Sequence, residues 1–217
     1  MGAALFRIHI AAPKMTDIPY PKFPTQQGYM TGKTQHAYIA AAIEKGVLPA
    51  DARHNAAIVS LTAPSDPDTP IQLGQLFSVL GVDTIVAIVQ DFYERLFADE
   101  DWFVAPFARI GGVEHHTVTQ ASMWADTMGG GPYYHRAEFR LSFHHTYNAM
   151  AVMNDRGAAR WVVLMNETLE ACAGHMTDDP RVRIAINTFL THFLGNYAVE
   201  FSLGDVGAFG EVNGVFA

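Results

Sequence analysis

The sequence is poor in cysteine, in long apolar runs and in basic residues. Its single cysteine, Cys172, excludes a disulfide within the chain, and the apolar setting of that residue is typical of a helical core position. No stretch approaches the ~20 consecutive apolar residues that a membrane-spanning helix needs. The first residues lack the basic region of a signal peptide, so we expect a cytoplasmic protein.

Lysine and arginine are outnumbered by the acidic residues, 14 against 22, and the formal net charge is −8. A surplus of negative charge repels nucleic-acid phosphates and anionic bilayers. We therefore expect neither nucleic acid nor a membrane surface as a partner. The length of 217 residues and the apolar content of 49% are enough for one well-formed core.

What the sequence does contain is apolar residues at three- and four-residue steps, the period of an amphipathic helix. The pattern is strong near the end of the chain, where Ile186, Phe189, Leu190 and Phe193 would share one helical face. After residue 70, patterns of this kind cover six segments: 71–80, 83–98, 113–128, 133–147, 158–173 and 182–201. The sequence therefore predicts an all-α fold.

A hard break separates the third and fourth helical patterns, because Gly129-Gly130-Gly131-Pro132 cannot continue a helix. Such a break lets consecutive helices meet at a sharp angle, a geometry that can enclose a flat ligand. After the break, Leu141 and His145 are four residues apart and share a helical face. Before it, the same spacing places three side chains on one face: His116, Gln120 and Trp124.

Several of these residues belong to an ordered set that resembles the truncated haemoglobins. The set is, in chain order, Phe92-Tyr93, Asp99 to Phe107, Met123-Trp124, Gly130-Gly131-Pro132, Leu141 with His145, and Trp161. The resemblance covers about residues 73–201 and implies a truncated globin fold, a two-over-two helical sandwich. It also implies haem b as the cofactor. One histidine would hold the iron: His145, or alternatively His144, because the spacing after Pro132 is shorter than usual in the family.

The resemblance further implies the residues around the haem. Tyr93 would place its hydroxyl over the haem, and Phe107 would lie against the haem face, with Phe103 as the alternative because the register slips there by one residue. Trp161 matches the tryptophan-bearing subgroup and would supply an indole N–H. His116 and Gln120 would face the pocket, where polar side chains need a partner. Two ordinary interpretations stay open: Tyr93 as a core residue, and His115-His116 as a solvated pair.

The implied function is binding of dioxygen, nitric oxide or other diatomic gases at a pentacoordinate or weakly hexacoordinate iron. Hydrogen-bond donors beside such a ligand slow its release, which favours nitric-oxide dioxygenase or peroxidase-like turnover over simple oxygen transport. Since no flavin fingerprint accompanies the chain, turnover would need an external reductase as electron donor. The alternative is a haem-less globin-fold interaction or sensor module, with the N-terminal arm as its contact surface.

The sequence predicts three parts. Residues 1–69 form an extension, a proline-rich arm followed by one helix over residues 34–45 and a linker that ends in a proline-rich boundary. That helix has an apolar stripe, which must bury itself on the globin unit or on a second copy of the chain as a homodimer. Residues 70–203 form the truncated globin domain. Residues 204–217, which contain four glycines, form a loose tail.

Overall fold

A computed structural model describes a helical protein. The residues that it describes are 23–25, 40, 43, 44, 50, 61–131 and 149–213. Within them are five α-helices, three short 3-10 turns and no strand, which confirms the predicted all-α class. The helices are α1 Phe77–Phe97, α2 Asp101–Ala108, α3 Val113–Thr127, α4 Asp155–Ala171 and α5 Pro180–Phe201. Over the same residues, none of the helices is long and apolar enough to cross a bilayer.

Two of the helices begin at capping side chains. At the start of α4 the Gly157 N–H donates a 3.0 Å hydrogen bond to Asn154 Oδ1. At the start of α5 the Arg181 N–H donates to Asp179 Oδ1, and Pro180 occupies the first turn. Such a cap contributes ~1 kcal/mol, and proline is favoured at the first helical position because its missing N–H would have no partner there. These local signals fix where both helices begin.

The core forms where α1 crosses α3 and α4, the two helices on which it packs most closely. Ile85, Ile88 and Leu96 of α1 are at most 1% exposed, and they meet Ala125 of α3 and Leu169 of α4 in one apolar cluster. Full burial of one such large aliphatic side chain contributes ~1.5–3 kcal/mol. The helical period of the sequence thus identifies the buried side of each of these helices.

The glycine turn after α3 lies against the segment that leads into α1. The Phe77 N–H donates a 3.0 Å hydrogen bond to the carbonyl oxygen of Met128. Gly129 has a φ of 101°, and a Cβ there would collide with the carbonyl oxygen of Gly74. A Cβ on Gly130 would collide with the ring of Phe77. The break occurs where the sequence predicts it, and its glycines are required by this close approach as well as by the turn.

The proline-rich linker is clamped onto α5 by one side chain. The Arg181 guanidinium donates hydrogen bonds to the carbonyl oxygens of Pro64 at 3.1 Å and Thr69 at 2.8 Å. The same guanidinium forms an ion pair with Asp179 at 2.7 Å, in which both side chains are at most 10% exposed. A buried arginine whose donors are shared among a carboxylate and carbonyls is well satisfied. Residues 61–69, assigned to the extension, therefore pack on the helices.

Other residues of the extension also contact the helices. The Ala63 N–H donates to Ser78 Oγ at 2.9 Å, and the Phe23 N–H donates to the carbonyl oxygen of Ser78 at 3.0 Å. Ile43, which belongs to the predicted helix over residues 34–45, is half-buried against the core. The remainder of the predicted arm and most of that helix lie outside the described residues.

Residues 204–213, which belong to the predicted loose tail, pack on the helices; we call them the C-terminal strap. Val206 and Phe209 of the strap are buried, at 8% and 2% exposure. Side-chain amides of the helices donate to strap carbonyl oxygens, Asn166 to Ala208 and Asn187 to Glu211, each at 2.9 Å. Because these amides satisfy backbone acceptors that no helix or strand pairs, an irregular segment rich in glycine can still pack.

Candidate functional site

Tyr93 and His116 meet between α1 and α3. Their rings are stacked, with centroids 5.0 Å apart and planes inclined by 20°. Both side chains are buried, at 5% and 8% exposure, whereas the neighbouring His115 is exposed. The two members of the His115-His116 pair therefore have different environments, and only His116 faces inward.

His116 is held in one protonation state and one orientation. Its Nε2 lies 3.0 Å from the carbonyl oxygen of Phe107, and because a carbonyl only accepts, Nε2 carries the proton and donates. Burial is the main cause that lowers the pKa of His116 below its ordinary value, so the ring is neutral at pH 7. The Nε2–H donor of His116 is thus engaged by the backbone.

The Tyr93 side chain is buried, at 5% exposure, and no described residue is paired with its hydroxyl. Burial raises the pKa of Tyr93 far above its ordinary value, so the phenol stays protonated and can act as a donor. It forms no hydrogen bond with any residue that the structure describes. Nearby on α3, Thr117 Oγ1 is also buried with no hydrogen-bond partner in the described part of the chain. Native proteins rarely leave such groups unsatisfied unless a ligand or ordered water completes them.

Trp161 reaches this region through Phe92. The rings of Trp161 and Phe92 are 5.3 Å apart, and Phe92 in turn contacts Tyr93 edge-to-face at 5.2 Å. With His116 these side chains form a continuous aromatic row from α4 across α1 to α3. Trp161 is half-buried, and its indole N–H donates no hydrogen bond to the described residues.

Phe103 and Phe107, the two candidates for the aromatic residue against the haem face, both belong to α2 and contact each other. Phe103 is 1% exposed, and Phe107 is half-buried. Phe107 contacts Phe103 at 5.5 Å and His116 at 5.8 Å, in both cases edge-to-face. Phe107 therefore belongs to the site through its ring and through the carbonyl that holds His116, while Phe103 supports it from the core.

Trp124 is buried, as predicted for the inward face of α3, but it contacts a different helix. Its ring packs edge-to-face on Phe189 of α5 at 5.2 Å. Since His116 precedes it by eight residues, the two are ~12 Å apart along the helix axis. Gln120, between them, is half-buried. The structure therefore groups His116 with Tyr93 and Phe107 and places Trp124 in the core towards α5.

The sequence did not identify an ion pair that joins this corner to α4. Arg160, directly before Trp161, donates to both carboxylate oxygens of Asp99, at 2.6 and 2.8 Å, and the Asp99 side chain is only 4% exposed. One turn earlier, the Arg156 guanidinium lies 3.7 Å from the ring centre of Trp102. The sequence does show two arginines four residues apart on one helical face. It does not indicate their partners, because these are some 60 residues away.

Replacing Asp99 with asparagine is expected to lower the free energy of unfolding by about 1–3 kcal/mol, because the half-exposed Arg160 loses its charged partner. The hydrogen bonds from Arg160 hold the pKa of Asp99 below its ordinary value. The carboxylate therefore stabilises the fold above pH ~4, and this stabilisation is lost as the pH falls through the lowered folded-state pKa. In Asp99→Asn, the free energy of unfolding should therefore fall less steeply as the pH is lowered through this range. Urea titrations at several pH values measure this dependence.

The matched control is Asp91→Asn, because Asp91 pairs with Arg95 on the surface of α1 and both side chains are about one-third exposed. We expect a change within about 0.5 kcal/mol there. Equal effects of the two substitutions would contradict a buried role for Asp99.

The predicted iron ligand His145, its alternative His144 and their neighbour Leu141 lie outside the described residues. The metal site thus stays a prediction from the sequence, whereas the side of the site built from α1, α3 and α4 is described. Comparison of this chain with protein-family models, with curated proteins and with solved structures found no match.

Proposed function

We propose that this chain is a haem protein that binds diatomic gases such as dioxygen and nitric oxide, in a truncated globin arrangement. The observation that carries the proposal is the Tyr93 hydroxyl, which is buried, protonated and without a partner among the described residues. Burying a hydroxyl unsatisfied costs ~1–3 kcal/mol, so a pocket that contains one is suited to a ligand with an acceptor atom.

The order of the helices is consistent with the proposed globin arrangement. α1 and α3 form a close pair, and α4 and α5 follow after the segment in which the iron ligand is predicted. The residues for which the resemblance implied ligand contacts, Tyr93 and Trp161, belong to one aromatic row. That Trp161 contacts Phe92, the residue directly before Tyr93 and 69 positions away in the sequence, supports the proposal, because helical period alone would not require it.

The groups of this chain would act as follows. Haem would supply an iron whose open position accepts a diatomic gas. His145, or His144, would hold that iron. Tyr93 would donate its phenolic proton in a hydrogen bond to the gas, and the Trp161 indole N–H would be a second donor. His116 would keep the Tyr93 ring in place by stacking on it. Oxidative turnover would require electrons from a separate reductase.

Tyr93→Phe removes one oxygen atom and keeps the ring that stacks on His116. A hydrogen bond in a dry pocket contributes ~1 kcal/mol or more, so we expect oxygen dissociation from the ferrous haem form to become about fivefold faster or more. Stopped-flow mixing with an oxygen scavenger measures this rate. Tyr197→Phe is the control, because it makes the same chemical change on α5, where Tyr197 stacks on Phe201. An unchanged rate in Tyr93→Phe would indicate that Tyr93 is an ordinary core residue.

The alternative function, a haem-less interaction module that uses its N-terminal arm, has less support. Arg181 donates to the linker carbonyls, and Ser78 accepts hydrogen bonds from two residues of the extension, Ala63 and Phe23. Those parts of the extension are therefore engaged with the chain's own helices, which leaves less of it for a partner.

A further inference from the structure

The indole of Trp161 is held between two aromatic rings from distant parts of the chain. On one side is Phe92 of α1, with ring centroids 5.3 Å apart. On the other is Phe209 of the C-terminal strap, at 5.9 Å, with the ring planes nearly perpendicular at 88°. Phe209 is only 2% exposed, so the strap covers this side of the indole and excludes water from the contact.

The strap holds Phe209 in place from both directions. Asn166 of α4 and Asn187 of α5 donate to the backbone carbonyls of Ala208 and Glu211, which flank it, at 2.9 Å each. Gly207 and Gly210 have φ values of 100° and 106°, a conformation that glycine adopts readily. Phe209 is therefore flanked by Gly207 and Ala208 on one side and by Gly210 and Glu211 on the other. The backbone turns on both sides of Phe209, and the helices fix both turns.

We propose that Phe209 is a positioning residue for the ligand-binding site, which sets the orientation of the Trp161 indole and thereby of its N–H. The effect on ligands rests on the proposed function, whereas the orientation of the indole does not. An edge-to-face pair prefers a defined ring geometry, so Phe209 limits rotation of an indole that is otherwise only half-buried. The C-terminal segment, for which the sequence predicts a loose tail, is then part of the site.

The test uses the full chain labelled with fluorotryptophan, whose fluorine NMR spectrum contains one resonance for each of the three tryptophans. Trp161→Phe assigns the Trp161 resonance. Phe209→Ala is expected to shift or broaden that resonance in the haem-free protein and to leave the Trp124 resonance unchanged. Val206→Ala is the control, because it removes a buried aliphatic side chain of the strap and leaves the Phe209 ring in place, and it should move neither resonance.

The second readout is ligand dissociation from the haem-loaded protein. Phe209→Ala is expected to speed it about twofold or more in the wild-type background and to have no further effect in Trp161→Phe. If Phe209→Ala does not fold, Phe209→Leu replaces it, since leucine keeps apolar volume but lacks the ring. An unmoved Trp161 resonance overturns the proposal. Failure to bind haem would overturn the proposed function alone, because the resonance is measured without haem.

Discussion

Gly129→Ala is expected to lower the free energy of unfolding by about 3 kcal/mol or more. A residue with a Cβ at φ 101° is strained by ~1–2 kcal/mol, because only glycine adopts that conformation freely. The added Cβ would also collide with the carbonyl oxygen of Gly74, a backbone atom that can move only with the 3-10 turn around it. Forcing an atom into such a contact costs a further ~1–3 kcal/mol. Urea or guanidinium unfolding of the two proteins measures the difference.

Gly174→Ala is the matched control for this substitution. Gly174 lies in the 3-10 turn Ala173–His175, where an added Cβ would have nothing within 4 Å. We expect a change within about 0.5 kcal/mol, because such a surface substitution leaves no contact broken. If Gly129→Ala were as mild as this control, the close approach of the glycine turn to Gly74 would be wrong.

The second large effect concerns the iron. His145→Ala is expected to weaken haem binding by about 100-fold or more, because loss of even an outer-shell partner costs 10–100-fold and His145 is the proposed ligand itself. His144→Ala is the control and should keep near-normal affinity, since adjacent residues of the helix that the sequence predicts here would point in different directions. Titration of each variant with haem, followed by absorbance, gives the affinities. The reverse ranking would assign the iron to His144, and normal affinity in both variants would contradict either assignment.

The inward faces of the helices could be predicted because apolar residues repeat with the helical period. Tyr93, His116 and Trp124 are all buried, as that period indicates. The partner of each face could not be predicted in the same way. His116 and Trp124 share a predicted face, yet one contacts Tyr93 and the other contacts Phe189. The helical period determines which side of a helix is buried. Tertiary packing determines which neighbouring helix that side contacts.

The packing of the irregular segments could not be predicted from the sequence. The C-terminal strap has no periodic pattern, and its position depends on side-chain amides from α4 and α5 as well as on its own buried Val206 and Phe209. The Arg181 clamp and the pair between Asp99 and Arg160 likewise join residues far apart in the sequence. Such contacts leave no local signal, because neither partner changes the pattern of its own segment.

Titration of the purified full-length protein with haem is the most direct test of the proposed function. We expect saturation at one haem per chain, an intense Soret absorbance band, and a ferrous form that binds carbon monoxide or dioxygen reversibly. Circular dichroism on the same sample establishes that the helices are formed. A folded, helical protein that develops no Soret band and leaves haem unbound would contradict the proposal and favour the haem-less interaction module.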